Sequence, residues 1–256
     1  MQHYSPDYNY SIYTTQKSGC STIGLFFLLL HYPEYDNRLL NSRMEKVIEK
    51  LYQCEKYTGI DNLHPELLGI IKKENKLYEK PHNNCFLVVR NPYTRAVSMY
   101  VDKYIKTDRQ DIWGRANLNK DLSFYDFLIE IKRLGGFLES NHFRTQFYHV
   151  MKNNNLNTQE IMQMPKIKIE DGDKAILNYY KKNIPELDQE KIIKALSLAR
   201  KVPNLTTFGE EQGNASMINF YDKKITHTRQ SFLRKNTKDI IKQLYKEDFM
   251  VMGYRQ

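Results

Sequence analysis

The sequence predicts an α/β fold with a central, mainly parallel sheet flanked by helices, and three observations lead there. A β-branched and aromatic stretch, Tyr10-Ser11-Ile12-Tyr13-Thr14, runs through Lys17-Ser18-Gly19 into an apolar run from Ile23, which reads as strand, tight turn and helix. A second segment repeats the plan: Cys85-Phe86-Leu87-Val88-Val89 is apolar throughout, as a strand buried on both faces must be. A helical pattern then follows it, and strands that alternate with helices imply parallel pairing. Ligands in such sheets bind at the carboxyl ends of the strands, where Lys17 and Arg90 both fall.

The remaining elements follow from local signals. Asn91-Pro92 starts a helix, with Asn as its cap and Pro at the first helical position, where a missing N–H costs nothing. Tyr93, Ala96, Val97, Tyr100, Val101 and Tyr104 then fall on one face of that helix. Lys166 to Glu170 reads as a third strand, ended by Asp171-Gly172. Residues 123–131 and 189–199 have helical spacing, and Asn153-Asn154-Asn155 reads as a loop tip. Near the end, Asn236 is placed to cap a helix whose apolar face is Ile240, Ile241, Leu244 and Tyr245, packing near Phe249. With no internal repeat and no Gly/Ser linker, residues 1–256 are expected to form a single domain.

Composition narrows the class. The chain has 256 residues, of which 41% are hydrophobic, enough for a full core and far from the profile of a disordered chain. Cys20, Cys54 and Cys85 are odd in number and lack CxxC spacing, so neither a disulfide framework nor a zinc site is expected, and a reducing, cytoplasmic setting is the default. The longest apolar run, Ile23 to Leu30, is far short of the roughly 20 residues of a membrane span, so no membrane anchor is expected. Residues 1–10 are polar and aromatic, unlike a signal peptide, and the sequons at Asn204 and Asn214 then read as chance. A formal net charge of +9, from 39 Lys+Arg against 30 Asp+Glu, attracts anions without saying which.

Two segments carry chemistry. Thr15-Gln16-Lys17-Ser18-Gly19-Cys20-Ser21-Thr22 has a Gly that lets backbone approach, small hydroxyl residues, a Lys and a helix start, the parts of an anion cradle. It is not GxxxxGK[ST], because Lys17 precedes the only Gly, which disfavours nucleoside triphosphate hydrolysis. Taken alone, it also reads as an ordinary strand–helix turn. In Arg90-Asn91-Pro92-Tyr93-Thr94-Arg95-Ala96-Val97-Ser98, a guanidinium at a strand end and a Ser two turns into the helix suit a phosphate monoester. Taken alone, Arg90 also reads as a loop cap and Ser98 as an exposed helix residue.

Together the two segments resemble the PAPS-dependent sulfotransferases, in particular the carbohydrate type that includes the heparan 2-O- and chondroitin/dermatan enzymes and bacterial relatives. Asn141-His142-Phe143-Arg144-Thr145-Gln146 is similar to that family's NH(W/F)xxQ stretch, and Leu244 to Phe249 followed by Gly253-Tyr254 to its closing LYxxDFxxxGY pattern. The resemblance implies a P-loop-like sulfotransferase fold. It assigns Lys17, Ser18, Gly19, Cys20, Ser21 and Thr22 to the 5′-phosphosulfate of PAPS, and Arg90 and Ser98 to its 3′-phosphate. Gln16 stands where Pro is usual, Cys20 where Thr is common and Asn91 where Asp is common, none of which removes a charged phosphate ligand.

The implied reaction moves a sulfuryl group from PAPS to a hydroxyl acceptor, a glycan first, and releases PAP, with no metal required. Lys17 is then the cation at the leaving oxygen. His supplies the natural base, and among seven histidines His142, in the family-like stretch, and His64, between the two phosphate motifs, are the candidates, with a carboxylate as the alternative. Glu170 resembles a recurrent family Glu but also reads as a structural strand end. Lys223, Lys224, Arg229, Arg234 and Lys235 form a basic cluster that can meet the nucleotide or an acidic acceptor, or simply be solvated. Two other readings stand beside this one. A small-molecule kinase or other nucleotide-binding α/β protein lacks support from GK[ST]; a basic nucleic-acid-binding module lacks zinc-finger spacing, RNP aromatics and a basic helix. The acceptor's identity and the oligomeric state are not written in the sequence.

Overall fold

The structure, a computed structural model, describes residues 2–5, 8–31, 84–105, 122–135, 143–201 and 229–256. In chain order its strands are β1 (Gln2–Ser5), β2 (Tyr10–Thr14), β3 (Asn84–Val89) and β4 (Lys166–Lys168). Its α-helices are α1 (Cys20–His31), α2 (Pro92–Met99), α3 (Phe124–Arg133), α4 (Gln146–Asn154), α5 (Thr158–Gln163), α6 (Gly172–Asn183), α7 (Gln189–Lys201), α8 (Lys235–Leu244) and α9 (Lys246–Val251). The strands form one sheet in the order β1-β2-β3-β4. β2 and β3 pair in parallel from Tyr10↔Asn84 to Thr14↔Val88, as expected of strands separated by a helix, whereas β1 adds an antiparallel edge from Gln2↔Tyr13 to Ser5↔Tyr10.

The contacts divide into two compact units: residues 1–14, 19–88 and 167–204 in the first, and residues 15–18, 89–166 and 205–256 in the second. In the first unit β2 is buried along its whole length. Tyr10, Ile12, Phe26, Phe27, Phe86, Val88 and Tyr180 join the faces of α1, α6 and α7 in one core. Within this core Tyr180 donates to the Tyr10 hydroxyl at 2.9 Å, and their rings meet edge to face at 88°.

The second unit has its own core. Ala96, Val97, Tyr100 and Tyr104 face Phe124, Phe127, Leu128, Ile131 and Phe143 from α3 and the segment before α4, with Ile240, Ile241, Tyr245 and Phe249 from α8 and α9. The Asn91-Pro92 helix start forms as expected, since Asn91 Oδ1 accepts the Tyr93 N–H at 2.9 Å. Ser123 caps α3 in the same manner by accepting the Asp126 N–H.

Several local expectations are corrected. The α2 stripe continues past Met99 as a π-helical turn, Tyr100–Ile105, in which the Tyr100 and Tyr104 rings stack 5.1 Å apart. The third strand stops at Lys168, and Glu170 lies exposed in a 3-10 turn, Ile169–Asp171. Asn153 and Asn154 are the last residues of α4, and only Asn155 turns left-handed to end it. Asn236 does not cap α8. The helix starts two residues earlier than such a cap would allow, with Arg234 at the cap, and the buried Thr237 hydroxyl reaches back to the Phe232 and Arg234 carbonyls. Among the described residues, no helix is long and apolar enough to cross a membrane.

Candidate functional site

The loop after β2 is built from two left-handed residues, Lys17 at φ 66° and Gly19 at φ 77°, on either side of Ser18. Such backbone can turn N–H groups towards an anion. Only glycine suits position 19: besides its φ, a Cβ there would overlap Ile169 Cδ1. The first hydrogen bond of α1 runs from the Ile23 N–H to the Gly19 carbonyl at 2.9 Å. The N–H groups of Cys20, Ser21 and Thr22 therefore lie in the turn before the helical ladder begins, at its positive end. Cys20 is buried and Thr22 half-buried.

Ser18 faces inward. Its N–H donates to the Thr15 carbonyl at 3.1 Å and its hydroxyl to Gln146 Oε1 at 2.6 Å. With that proton committed, the Thr15 hydroxyl donates to Ser18 Oγ, also at 2.6 Å. Both residues are fully buried. The Ser18 side chain thus shapes the loop from within.

Arg90 leaves β3 and turns back on the same loop. Its Nη1 donates to the Lys17 carbonyl at 2.9 Å and its Nε to Thr94 Oγ1 at 3.3 Å. Five residues on, the fully buried Arg95 donates from Nε to the Gln16 carbonyl at 3.0 Å. Two guanidinium groups from one segment therefore hold neighbouring carbonyls of the loop, in bonds stronger than neutral ones because the donors are charged. Ser98, further along α2, is half-buried and hydrogen-bonds to none of these groups among the described residues.

Gln146, the first residue of α4 and fully buried, ties these parts together. Oε1 accepts the Arg90 N–H at 2.9 Å, and Nε2 donates to the Arg90 carbonyl at 2.7 Å. The roles of a backbone N–H and carbonyl are fixed, so they dictate which end of the amide is which. Asp248, fully buried on α9, accepts the N–H groups of Gln146 and Phe147, each at 2.9 Å, and so caps α4 from outside with a carboxylate at its positive end. Arg95 Nη1 lies 4.0 Å from Asp248 Oδ2, and its guanidinium sits 5.7 Å from the Tyr245 ring centroid. The Tyr245 hydroxyl in turn donates to the Phe143 carbonyl at 3.2 Å. Burial pushes the Asp248 carboxyl above the ordinary aspartate value, against the opposing pull of Arg95 and the two N–H groups.

All four segments singled out in the sequence therefore meet around one amide: the Lys17 loop, the Arg90 segment, the stretch ending at Gln146 and the closing pattern containing Asp248. The structure joins Lys17 to Arg90 by a direct hydrogen bond and Ser18 to Arg90 through the shared Gln146 Oε1, and it puts Gly19 to Thr22 at the start of α1 in the first unit. His64 and His142 lie outside the described residues, as do Cys54, Lys223 and Lys224. Arg234 and Lys235 are exposed at the start of α8. Sequence reading missed the buried roles of Gln146, Arg95 and Asp248, although each sits inside a segment it had marked.

The family model described as the sulfotransferase family matches residues 3–255 of this chain. No curated protein and no solved structure matches it significantly.

Proposed function

The chain belongs to the sulfotransferase family, and from that premise we propose that it transfers the sulfuryl group of PAPS to a hydroxyl acceptor, a glycan first, and releases PAP. The observation that carries the reading is the hydrogen bond from Arg90 Nη1 to the Lys17 carbonyl, because it joins, within one unit, the cation-bearing residue of each of the two anion motifs. A donor with phosphate at both ends needs such a pair of cationic anchors. The residues also fit its chemistry: two cations, a left-handed loop and a helix start are anion-binding parts, with no catalytic demand for a metal.

In this reading Arg90 and Ser98 hold the 3′-phosphate, and Lys17 with the N–H groups of Gly19, Cys20, Ser21 and Thr22 holds the 5′-phosphosulfate. Ser18 serves by fixing the loop. The bound donor supplies the sulfuryl group, whose bond to the nucleotide oxygen breaks as one to the acceptor oxygen forms. Lys17 neutralises charge that gathers on the leaving oxygen, and a fixed cation of this kind lowers the barrier without reorganising. The acceptor's proton passes to His142, His64 or a carboxylate; pH–rate profiles of His142→Ala and His64→Ala separate these, and an unchanged acid limb and rate in both would remove the two histidines and leave the carboxylate. The family match runs through both compact units, which supports reading residues 1–256 as one sulfotransferase domain.

Calorimetry with PAP against ATP·Mg tests the donor, and transfer of label from radiolabelled PAPS to a panel of glycans tests the acceptor. The proposal expects tight PAP binding without metal. Preference for ATP·Mg would favour a kinase instead, and salt-sensitive binding to generic DNA without PAP binding would favour a nucleic-acid module.

A further inference from the structure

The Gln146 amide bonds groups on two separate segments, Ser18 and Arg90, yet it carries no charge and, being fully buried, cannot itself touch a solvent-borne ligand. Its amide bonds both main-chain groups of Arg90 and the Ser18 hydroxyl, while its own N–H is fixed by Asp248. A glutamine that only filled space or capped its own helix would have no need to engage both the N–H and the carbonyl of one distant residue. Those bonds fix the peptide groups on both sides of the Arg90 Cα, and so the direction in which the guanidinium leaves the backbone. The Ser18 bond fixes the loop whose Lys17 carbonyl that same guanidinium holds.

We infer that Gln146 is a positioning residue of the donor site, setting the register between Arg90 and the Thr15–Ser18 loop so that the two anion anchors are preorganised at the right separation. The inference rests on the PAPS reading above. Its physical content is that geometry held by a rigid supporting shell, rather than by the ligand, decides how well charged anchors work. Asp248 supports it in turn, by holding the start of α4 and so the point from which the amide reaches.

The test is calorimetry with PAP on the full chain, with far-UV circular dichroism and urea unfolding to establish folding. Gln146→Asn keeps the amide but shortens it by one methylene, so it cannot span Ser18 and both Arg90 groups. Folded Gln146→Asn should bind PAP at least about tenfold more weakly, the scale of one charge-assisted hydrogen bond lost or misaligned. A merely structural role would not predict the second readout, a double-mutant cycle with Arg90→Lys. If Gln146 acts through Arg90, the Asn substitution should weaken PAP binding much less in the Arg90→Lys background than in the wild type. If Gln146→Asn does not fold, Ser18→Ala removes a single bond to Oε1 and should give a smaller loss with the same non-additivity against Arg90→Lys. Wild-type PAP affinity in folded Gln146→Asn, or strict additivity with Arg90→Lys, would overturn this inference while leaving the donor reading intact. No PAP binding by the wild type would overturn the donor reading and the inference with it.

Discussion

Arg90 donates from Nη1 to the carbonyl oxygen of Lys17 at 2.9 Å, so the cation at the end of β3 holds the backbone of the residue that carries the other cation. Arg95 does the same for Gln16 at 3.0 Å. The loop is thus clamped at consecutive carbonyls by the segment that follows β3. Lys17, left-handed at φ 66°, is kept in a conformation an L-residue otherwise avoids by roughly 1–2 kcal/mol.

That strain separates the charge of Lys17 from its backbone. Lys17→Ala keeps the unfavourable φ and removes the ammonium group; Lys17→Gly removes both. Sulfuryl transfer should fall by about 10²–10³ in each, the cost of losing one preorganised charge-stabilising group. In urea unfolding Lys17→Gly should be no less stable than Lys17→Ala, since relief of the left-handed strain offsets glycine's extra unfolded-state entropy of about 0.5–1 kcal/mol. A folded Lys17→Gly with wild-type turnover would remove this cation from the chemistry.

Asp248 gives a signed pH dependence. Burial raises its folded pKa above the ordinary value of 3.8. The folded state therefore takes up a proton more readily than the unfolded one, and this residue's contribution to stability is greatest in acid. It declines as pH climbs from the unfolded value through the raised folded value. Asp248→Asn removes this titration while keeping a similar shape and an acceptor oxygen for the α4 N–H groups. The destabilisation relative to wild type should shrink as pH increases across that window. Urea denaturation at successive pH values reads this slope, and a penalty that grows with pH would show that Arg95 and the α4 N–H groups outweigh burial.

These buried groups mark the limit of what the sequence made legible. β2, β3 and the start of α2 are readable because a β-branched and aromatic stretch, a continuous apolar run and an Asn-Pro start are each local signals. β1 is not, since four residues, Gln2–Ser5, depend on the antiparallel partner they find in β2. Lys17 and Arg90 announced themselves by charge at strand ends. Gln146, Arg95 and Asp248 did not, because a polar residue destined for full burial looks the same in sequence as one destined for water. Only the fold supplies the partners that make burial tolerable. Asn236 failed as a cap for a related reason: a buried Thr237 hydroxyl, invisible as such beforehand, organised the turn before α8.

His3 predicts acid sensitivity in the first unit. Burial lowers its pKa from 6.5 to about 3, with the N-terminal charge a smaller cause, and Nε2 has no hydrogen-bond partner among the described residues. A depressed folded value means that the unfolded chain binds the proton first. Stability conferred by the neutral ring is present above pH 6.5 and is lost progressively as pH falls towards 3. His3→Phe removes the titration while keeping an aromatic ring near Phe27, whose centroid lies 5.5 Å from that of His3. Thermal melts from pH 7 to 4 should show a shallower decline for the variant; parallel curves would show that His3 titrates as in water.

Gly19 and Ile169 test why the anion loop needs glycine at all. Two penalties are combined there: a positive φ of 77°, which costs an L-residue about 1–2 kcal/mol, and a Cβ position already filled by Ile169 Cδ1. Gly19→Ala carries both, and Ile169→Ala removes only the obstruction. Ile169 is half-buried against the first unit's core, so its truncation costs something by itself. The double variant Gly19→Ala/Ile169→Ala should therefore be more stable than the sum of the two single losses, by about 1–3 kcal/mol, the usual scale of overpacking. It should still fall short of Ile169→Ala alone by the backbone cost. Chemical unfolding of the four proteins measures the coupling directly. Additive losses would mean that the loop moves away from Ile169 freely and that φ alone demands glycine, whereas full recovery to the stability of Ile169→Ala would mean that the left-handed backbone costs nothing.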